Sequence, residues 1–159
     1  MAIPLRGRTS RSVYFVTASA YRKQQLLQSE RAANLFIEVL YHYRTPGKYL
    51  LHEFVVMPDH FHLLITPGPE VTLERAMQFI KGGFSFRAKK ELGLPGERWQ
   101  ASFYDRRVRD ATEYQVFRTY IHQNPVRRGL ATSAEQYPYS SANLTFALDR
   151  GPQRLKPAV

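Results

Sequence analysis

Two apolar stretches, Tyr49 to Met57 and His60 to Thr66, are separated only by Pro58-Asp59, and this constrains the fold more than any other feature of the chain. Both stretches are rich in β-branched and aromatic residues, as strands are, and a proline–aspartate break of two residues closes such strands into a hairpin. Helical periodicity flanks the hairpin on both sides. Upstream, Ser29 can cap a helix carrying Phe36, Val39, Leu40 and Tyr43 at spacings of three and four, until Pro46-Gly47 stops it. Downstream, Pro67-Gly68-Pro69 ends the second strand, and Thr72 can cap a helix with Leu73, Ala76, Met77 and Ile80 on one face. Gly82-Gly83 is expected to kink or interrupt that helix before Phe84 to Leu92 continue it.

Val13 to Thr17 reads as a buried strand, and Trp99 to Arg109 carries the last one after the turn Leu94-Pro95-Gly96. Asp110, with Glu113 three residues on, opens a final helix as an aspartate variant of the capping box. Asn124-Pro125 is expected to close it, because the residue before proline is pushed out of the α region. The order is β-α-β-β-α-β plus one helix. That is the α+β class, on the ferredoxin-like, split-βαβ plan of an antiparallel sheet with two helices on one face. The additional helix, from Ala111 to about Gln123, is left to cover the other face. One domain is expected over 13–148, between a basic arm at 1–12 (Arg6, Arg8, Arg11) and a basic tail at 149–159 (Arg154, Lys156).

The 159 residues include no cysteine, which excludes disulfides and Cys-ligated zinc or iron–sulfur centres. No apolar run approaches membrane-spanning length and the N-terminal residues contain no signal-peptide core, so the expectation is a cytoplasmic, nucleoid-associated chain. A formal net charge of +10 favours polyanionic partners without choosing between DNA and RNA.

His60 and His62 share one face of their strand, roughly 7 Å apart at Cα, because strand side chains alternate. Phe61, Leu63 and Ile65 then face the two packing helices. Two imidazoles on one face can share a cation, although a His-x-His pair alone more often serves a hydrogen-bonded structural role. On the final helix the apolar stripe is Tyr114, Phe117 and Ile121, and Tyr120 lies at its margin beside Val116, Gln123 and Asn124. Alone, such a tyrosine usually covers a core edge. The histidine face, however, is the one left open for this helix, so Tyr120, Asn124 and the histidine pair can converge. Asn124 would supply an amide oxygen, a suitable third ligand beside two imidazoles for Mg²⁺ or Mn²⁺.

Val56-Met57-Pro58-Asp59-His60-Phe61-His62-Leu63-Leu64 resembles the HUH strand of single-tyrosine transposases, where U is a hydrophobic residue. Tyr120-Ile121-His122-Gln123-Asn124-Pro125-Val126-Arg127-Arg128-Gly129-Leu130 resembles the Y-I-x-x-N-P-V-x-x-G-L signature of REP-associated tyrosine transposases. Trp99-Gln100 with Phe103-Tyr104-Asp105, and Tyr139-Ser140-Ser141, fit the same pattern, and the likeness spans roughly residues 12 to 143. It implies the HUH nuclease fold and a catalytic Tyr120 that cleaves single-stranded DNA into a 5′-phosphotyrosyl enzyme and a free 3′-hydroxyl. It further implies a metal ion held by His60, His62 and Asn124, a REP-like hairpin substrate, and a self-sufficient monomer with a dimer as the alternative.

For the DNA, the basic residues singled out are Lys81, Arg87, Lys89 and Lys90 on the second helix, Arg106, Arg107 and Arg109 near the last strand, and Arg127 and Arg128 after Tyr120. Tyr104 and Phe103 are candidates to stack on unpaired bases. His42, His52 and His122 read as surface or structural; Glu53, Asp59 and Asp105 could lie near the metal, with Asp59 better explained as a turn residue and Asp105 left open. Three rivals compete: a hairpin-binding module that no longer cleaves, an RNA-binding ferredoxin-like domain, and a zinc hydrolase. The second leaves His60, His62 and Tyr120 without a task, and the third lacks a strong third ligand.

Overall fold

A computed structural model describes residues 12–94, 99–151 and 155. Strand β1 (Tyr14–Ser19) leads through a single 3-10 turn (Tyr21–Lys23) to helix α1 (Glu30–Arg44). The hairpin of β2 (Tyr49–Met57) and β3 (His60–Pro67) follows, then α2 (Leu73–Leu92), β4 (Tyr104–Arg107) and α3 (Ala111–Arg127). The sheet order is β2-β3-β1-β4 and every pairing is antiparallel, as the split-βαβ plan requires.

Strand alternation divides the apolar residues between two cores. Phe61, Leu63 and Ile65 face α1 and α2, where they meet Phe36, Leu40, Ile80, Phe84 and Trp99. Val13, Phe15, Val55, Met57 and Leu64 face the opposite way and are covered by Tyr114 and Ile121 of α3, with Phe117 packed against them. The third helix therefore lies on the histidine face. Ser29 and Thr72 cap α1 and α2 by accepting from the backbone N–H three residues on. Asp110 does the same for α3, accepting from Glu113 N at 2.8 Å. The Glu113 carboxylate, however, reaches Arg109 N at 2.9 Å, one residue before the position a capping box would use.

Three expectations are corrected. Helix α2 runs unbroken through Gly82-Gly83. A Cβ at position 83 would stand 2.9 Å from Tyr43 Cε2 and 3.2 Å from Val39 Cγ1, so the glycine there permits close packing on α1 rather than a kink. The last strand is only four residues long, and Trp99 contributes a lone bridge to Ala20. Helix α3 does not stop at Asn124 but continues through Pro125 to Arg127. The proline falls in the last turn, and a Schellman arrangement follows it: Gly129 takes φ +76°, its N–H donates to Val126 O, and Leu130 N–H donates to Pro125 O.

The expected basic arm lies outside the described residues but for position 12. Asp149, the expected start of the tail, is bound into the fold, accepting from Arg44 Nε at 2.8 Å and from Leu51 N at 2.8 Å. Tyr139 O accepts from Val56 N, and Ser141 N donates to Phe54 O, so the closing segment covers the outer edge of β2.

Candidate active site

The register of β1 against β3 sets the histidine pair in its surroundings, with Thr17 opposite His62 and Ser19 opposite His60. Both imidazoles are buried, and their ring centroids lie 4.8 Å apart. Each has one nitrogen already engaged. His60 Nδ1 meets Asp59 Oδ1 at 2.6 Å, and His62 Nδ1 meets Thr17 Oγ1 at 2.7 Å. A carboxylate accepts from an Nδ1–H, which leaves the Nε2 lone pair of His60 free, and a hydroxyl can hold His62 in the same tautomer. Burial lowers the His62 imidazole to about 3, with His60 and Arg127 adding to the shift, so it is neutral. Burial also lowers His60 against the opposing pull of Asp59. Burial works against ionisation of Asp59, yet its bond to His60 holds the carboxyl below its usual range.

Helix α3 brings two further groups. Tyr120, 39% exposed, sets its ring 5.2 Å from that of His62, in an edge-on arrangement. Asn124, one turn on, is buried. Among the described residues, the buried side-chain polar atoms without a hydrogen-bond partner are His62 Nε2 and Asn124 Oδ1. Leaving such atoms unpaired costs roughly 1–3 kcal/mol each, so an unpaired set points to a ligand that satisfies them. A neutral imidazole nitrogen and a carboxamide oxygen are the donor types a divalent cation takes. No group of three His, Cys, Asp or Glu side chains that could hold an ion occurs among the described residues.

Phe15 is the hub that sequence reading passed over. Its ring stacks on Phe117 at 4.3 Å and on His62 at 5.4 Å, and meets Tyr120 edge-on at 5.9 Å. It thereby fixes the distance between helix and sheet at the tyrosine. Thr17 is likewise absent from the candidates, and Asp59, a possible neighbour of the metal, is better explained by sequence as a turn residue. Thr17 carries no local signal, since it acts across the sheet, whereas Asp59 acts on its immediate neighbour His60. Arg127 lies over the Tyr120 ring, with its guanidinium carbon 4.5 Å from the centroid.

The other candidates divide. Glu53 is not beside the histidine pair. It accepts from Arg118 Nε at 3.0 Å, His122 Nε2 at 2.6 Å and Ser141 Oγ at 2.6 Å, tying α3 to β2. Burial opposes its ionisation, but the bonds from His122 and Ser141 prevail and lower its pKa. His52 is buried against Thr66, and Asp105 pairs with Val16 on the helix-covered face of the sheet. Tyr104, 56% exposed, stands beside Phe15 on the histidine face, whereas Phe103 packs against the core of the opposite layer.

Of the basic residues, Lys81, Arg87, Lys89 and Lys90 lie on α2, across the sheet from the tyrosine. Arg87 is engaged by Glu91 and Glu38, and Lys81 Nζ donates to Gln100 O. Arg106 and Arg109 both pair with Glu113, and Arg107 is exposed. Arg127 and exposed Arg128 stand at the C-terminal end of α3, close to the histidines.

The chain is similar to several known proteins. A family model described as "Transposase IS200 like" matches residues 9–124. A REP-associated tyrosine transposase of Escherichia coli strain K12 is 25% identical over 131 residues, covering 80% of this chain and 74% of that protein. A Haemophilus influenzae protein provisionally given the same name is 27% identical over 96 residues, and the match spans 54% of its length. Among solved structures, a REP-associated tyrosine transposase bound to a REP hairpin superposes with a TM-score of 0.72 at 20% identity, over 100% of this chain and 99% of the other. A Deinococcus radiodurans protein provisionally assigned as a transposase gives 0.55 at 23% identity, over 82% of this chain and 99% of the other. These last two likenesses concern the fold.

Proposed function

The chain belongs to the IS200-like transposase family, and we propose from this that it cuts and rejoins single-stranded DNA beside hairpins, using Tyr120 as the nucleophile. The observation that carries the reading is the unpaired, buried pair His62 Nε2 and Asn124 Oδ1, on the sheet and helix that bring Tyr120 to the histidines. The partner is inferred from the solved relative that is bound to a REP hairpin.

Tyr120 Oη attacks the phosphorus of a single-strand phosphodiester. The bond from phosphorus to the 3′-oxygen breaks, giving a 5′-phosphotyrosine and a free 3′-hydroxyl. The new ester retains the energy of the broken one, so a 3′-hydroxyl can reverse the attack without ATP. His60, His62 and Asn124 would hold the ion, Mg²⁺ or Mn²⁺, which when bound orients the phosphate and neutralises charge on its oxygens. Phe15 and Arg127 hold the tyrosine ring edge and face, limiting its rotation before attack. Asp59 and Thr17 keep the two imidazoles in the tautomer that offers Nε2. Because tyrosine and histidines come from one chain, the site is read as complete in a monomer, acting in the cytoplasm where its DNA lies.

The test is a labelled oligonucleotide carrying a REP hairpin and an unpaired flank, incubated with Mn²⁺ and run on a denaturing gel. A covalent protein–DNA band is expected, lost in Tyr120→Phe, in His60→Ala and on addition of EDTA. A band shift confined to native gels, in every variant and without metal, would instead identify a binding module that does not cleave.

A further inference from the structure

Beyond β1 the chain turns through Arg22 and Lys23, both non-glycine residues in the left-handed region at φ 54° and 57°. Side-chain-bearing residues rarely adopt that conformation, and two in succession persist only where surrounding structure imposes them. Here the turn is fastened to the hairpin tip that carries the histidines. Ala20 N–H donates to Asp59 O at 2.9 Å, and Leu27 N–H to Pro58 O at 2.8 Å. The Lys23 ammonium donates to Ser19 Oγ at 3.2 Å, and Ser19 stands directly opposite His60 in the sheet. Thr17 and Ser19 point to the same face by alternation, and Thr17 touches His62. The lysine is therefore anchored on the histidine face, at the His60 end of the pair. Its charge is felt there, adding to the lowering of both imidazoles that burial begins.

Tyr120 meets the other end, at His62. In-line displacement places the attacking and departing oxygens on opposite sides of phosphorus. A phosphate seated over the histidine pair, attacked from the His62 side, would release its 3′-oxygen toward His60. We propose that Lys23 is a catalytic residue that stabilises and protonates the departing 3′-oxygen during strand cleavage. This rests on the nuclease reading above. The tyrosine phenol gives its proton to solvent as its oxygen bonds to phosphorus, the 3′-oxygen leaves with the electron pair and takes a proton from the ammonium, and solvent reprotonates the amine. In rejoining, the ammonium first returns a proton to solvent, the neutral amine then accepts the proton of the attacking 3′-hydroxyl, and the departing Tyr120 oxygen leaves with the electron pair and takes a proton from solvent. An exposed lysine is ordinarily a solvated charge; the left-handed backbone, the Ser19 anchor and the position opposite the nucleophile set this one apart.

The test compares an ordinary REP hairpin oligonucleotide with one carrying sulfur in place of the 3′-oxygen at the mapped cleavage position, each with Mn²⁺. A thiolate departs without a proton. Lys23→Met is expected to slow adduct formation on the oxygen substrate by about a hundredfold and to approach the wild-type rate on the sulfur substrate. Ser19→Ala should show the same pattern more weakly. Equal slowing on both substrates would reduce Lys23 to a phosphate contact, and no slowing on either would reduce it to a surface charge; both outcomes overturn the inference while leaving the nuclease intact. A wild-type chain forming no adduct with either substrate would overturn the nuclease reading and this inference with it.

Discussion

At the scale of single residues, the site depends on which ring nitrogen each histidine leaves free. Asp59 sets this for His60, and the Thr17 hydroxyl can hold His62 in the same tautomer. Thr17→Val keeps the shape and removes the hydroxyl, so Mn²⁺ affinity should fall about 10- to 100-fold, as read by calorimetric titration, with little change in thermal midpoint. An unchanged dissociation constant would show that His62 needs no such partner. The shared face of His60 and His62 was legible from the period of two in a strand. Thr17 and Phe15 were not, because Thr17 acts through register with His62, 45 residues away, and Phe15 through packing against Phe117 and Tyr120 of a distant helix. Asn124 was legible as a donor, but its burial and unpaired oxygen appear only once α3 is docked.

At the scale of elements, the glycine pair in α2 separates two effects that sequence cannot distinguish. Nothing lies within 4 Å of a Cβ added at Gly82, so Gly82→Ala should raise stability by roughly 0.5–1 kcal/mol through helix propensity. At Gly83 the ring of Tyr43, stacked on Phe79, blocks the same methyl group. Gly83→Ala should cost about 1–2 kcal/mol; chemical denaturation of both variants measures the contrast. Glu113 fastens the entry of α3 by accepting from Arg106, Arg109 and the backbone of Arg109. Although burial opposes it, these bonds lower the carboxyl from 4.5 to about 2. A lowered carboxylate contributes its stability above the unfolded value and loses it as pH falls through the folded one. The wild type should therefore exceed Glu113→Gln by about 1 kcal/mol at neutral pH, and acid titration should close that gap between 4.5 and about 2. A gap that persisted at the acid end would remove the carboxylate as its source.

At the scale of the whole molecule, a net charge of +10 favours a polyanionic partner without saying which layer meets it. The α2 arginine at position 87 is neutralised by Glu38 and Glu91 on the face away from the histidines. Arg87→Gln should leave hairpin affinity within about twofold, whereas Arg127→Gln should weaken it and reduce the slope of log affinity against log salt by about 1. Filter binding across a salt series tests both, and equal effects would mean that the DNA contacts both layers. The tyrosine and histidines also meet within one chain. Mixing Tyr120→Phe with His60→Ala chains should therefore restore no covalent adduct; recovered activity would reveal sites shared between two copies.

Local chemistry fixed what depends on near neighbours. The hairpin at Pro58-Asp59, the caps at Ser29, Thr72 and Asp110, and the common face of His60 and His62 all follow from residues a few positions apart. The likeness of two short motifs then implied which tyrosine acts. Tertiary structure alone decided the rest: that α2 passes unbroken through its glycines, that Glu53 braces α3 rather than the histidine pair, and that the lysine of a left-handed turn stands at the far end of that pair. The physical reason is common to all three. Each depends on packing or strand register between segments distant along the chain, and periodicity within a segment carries no record of the neighbour it will meet.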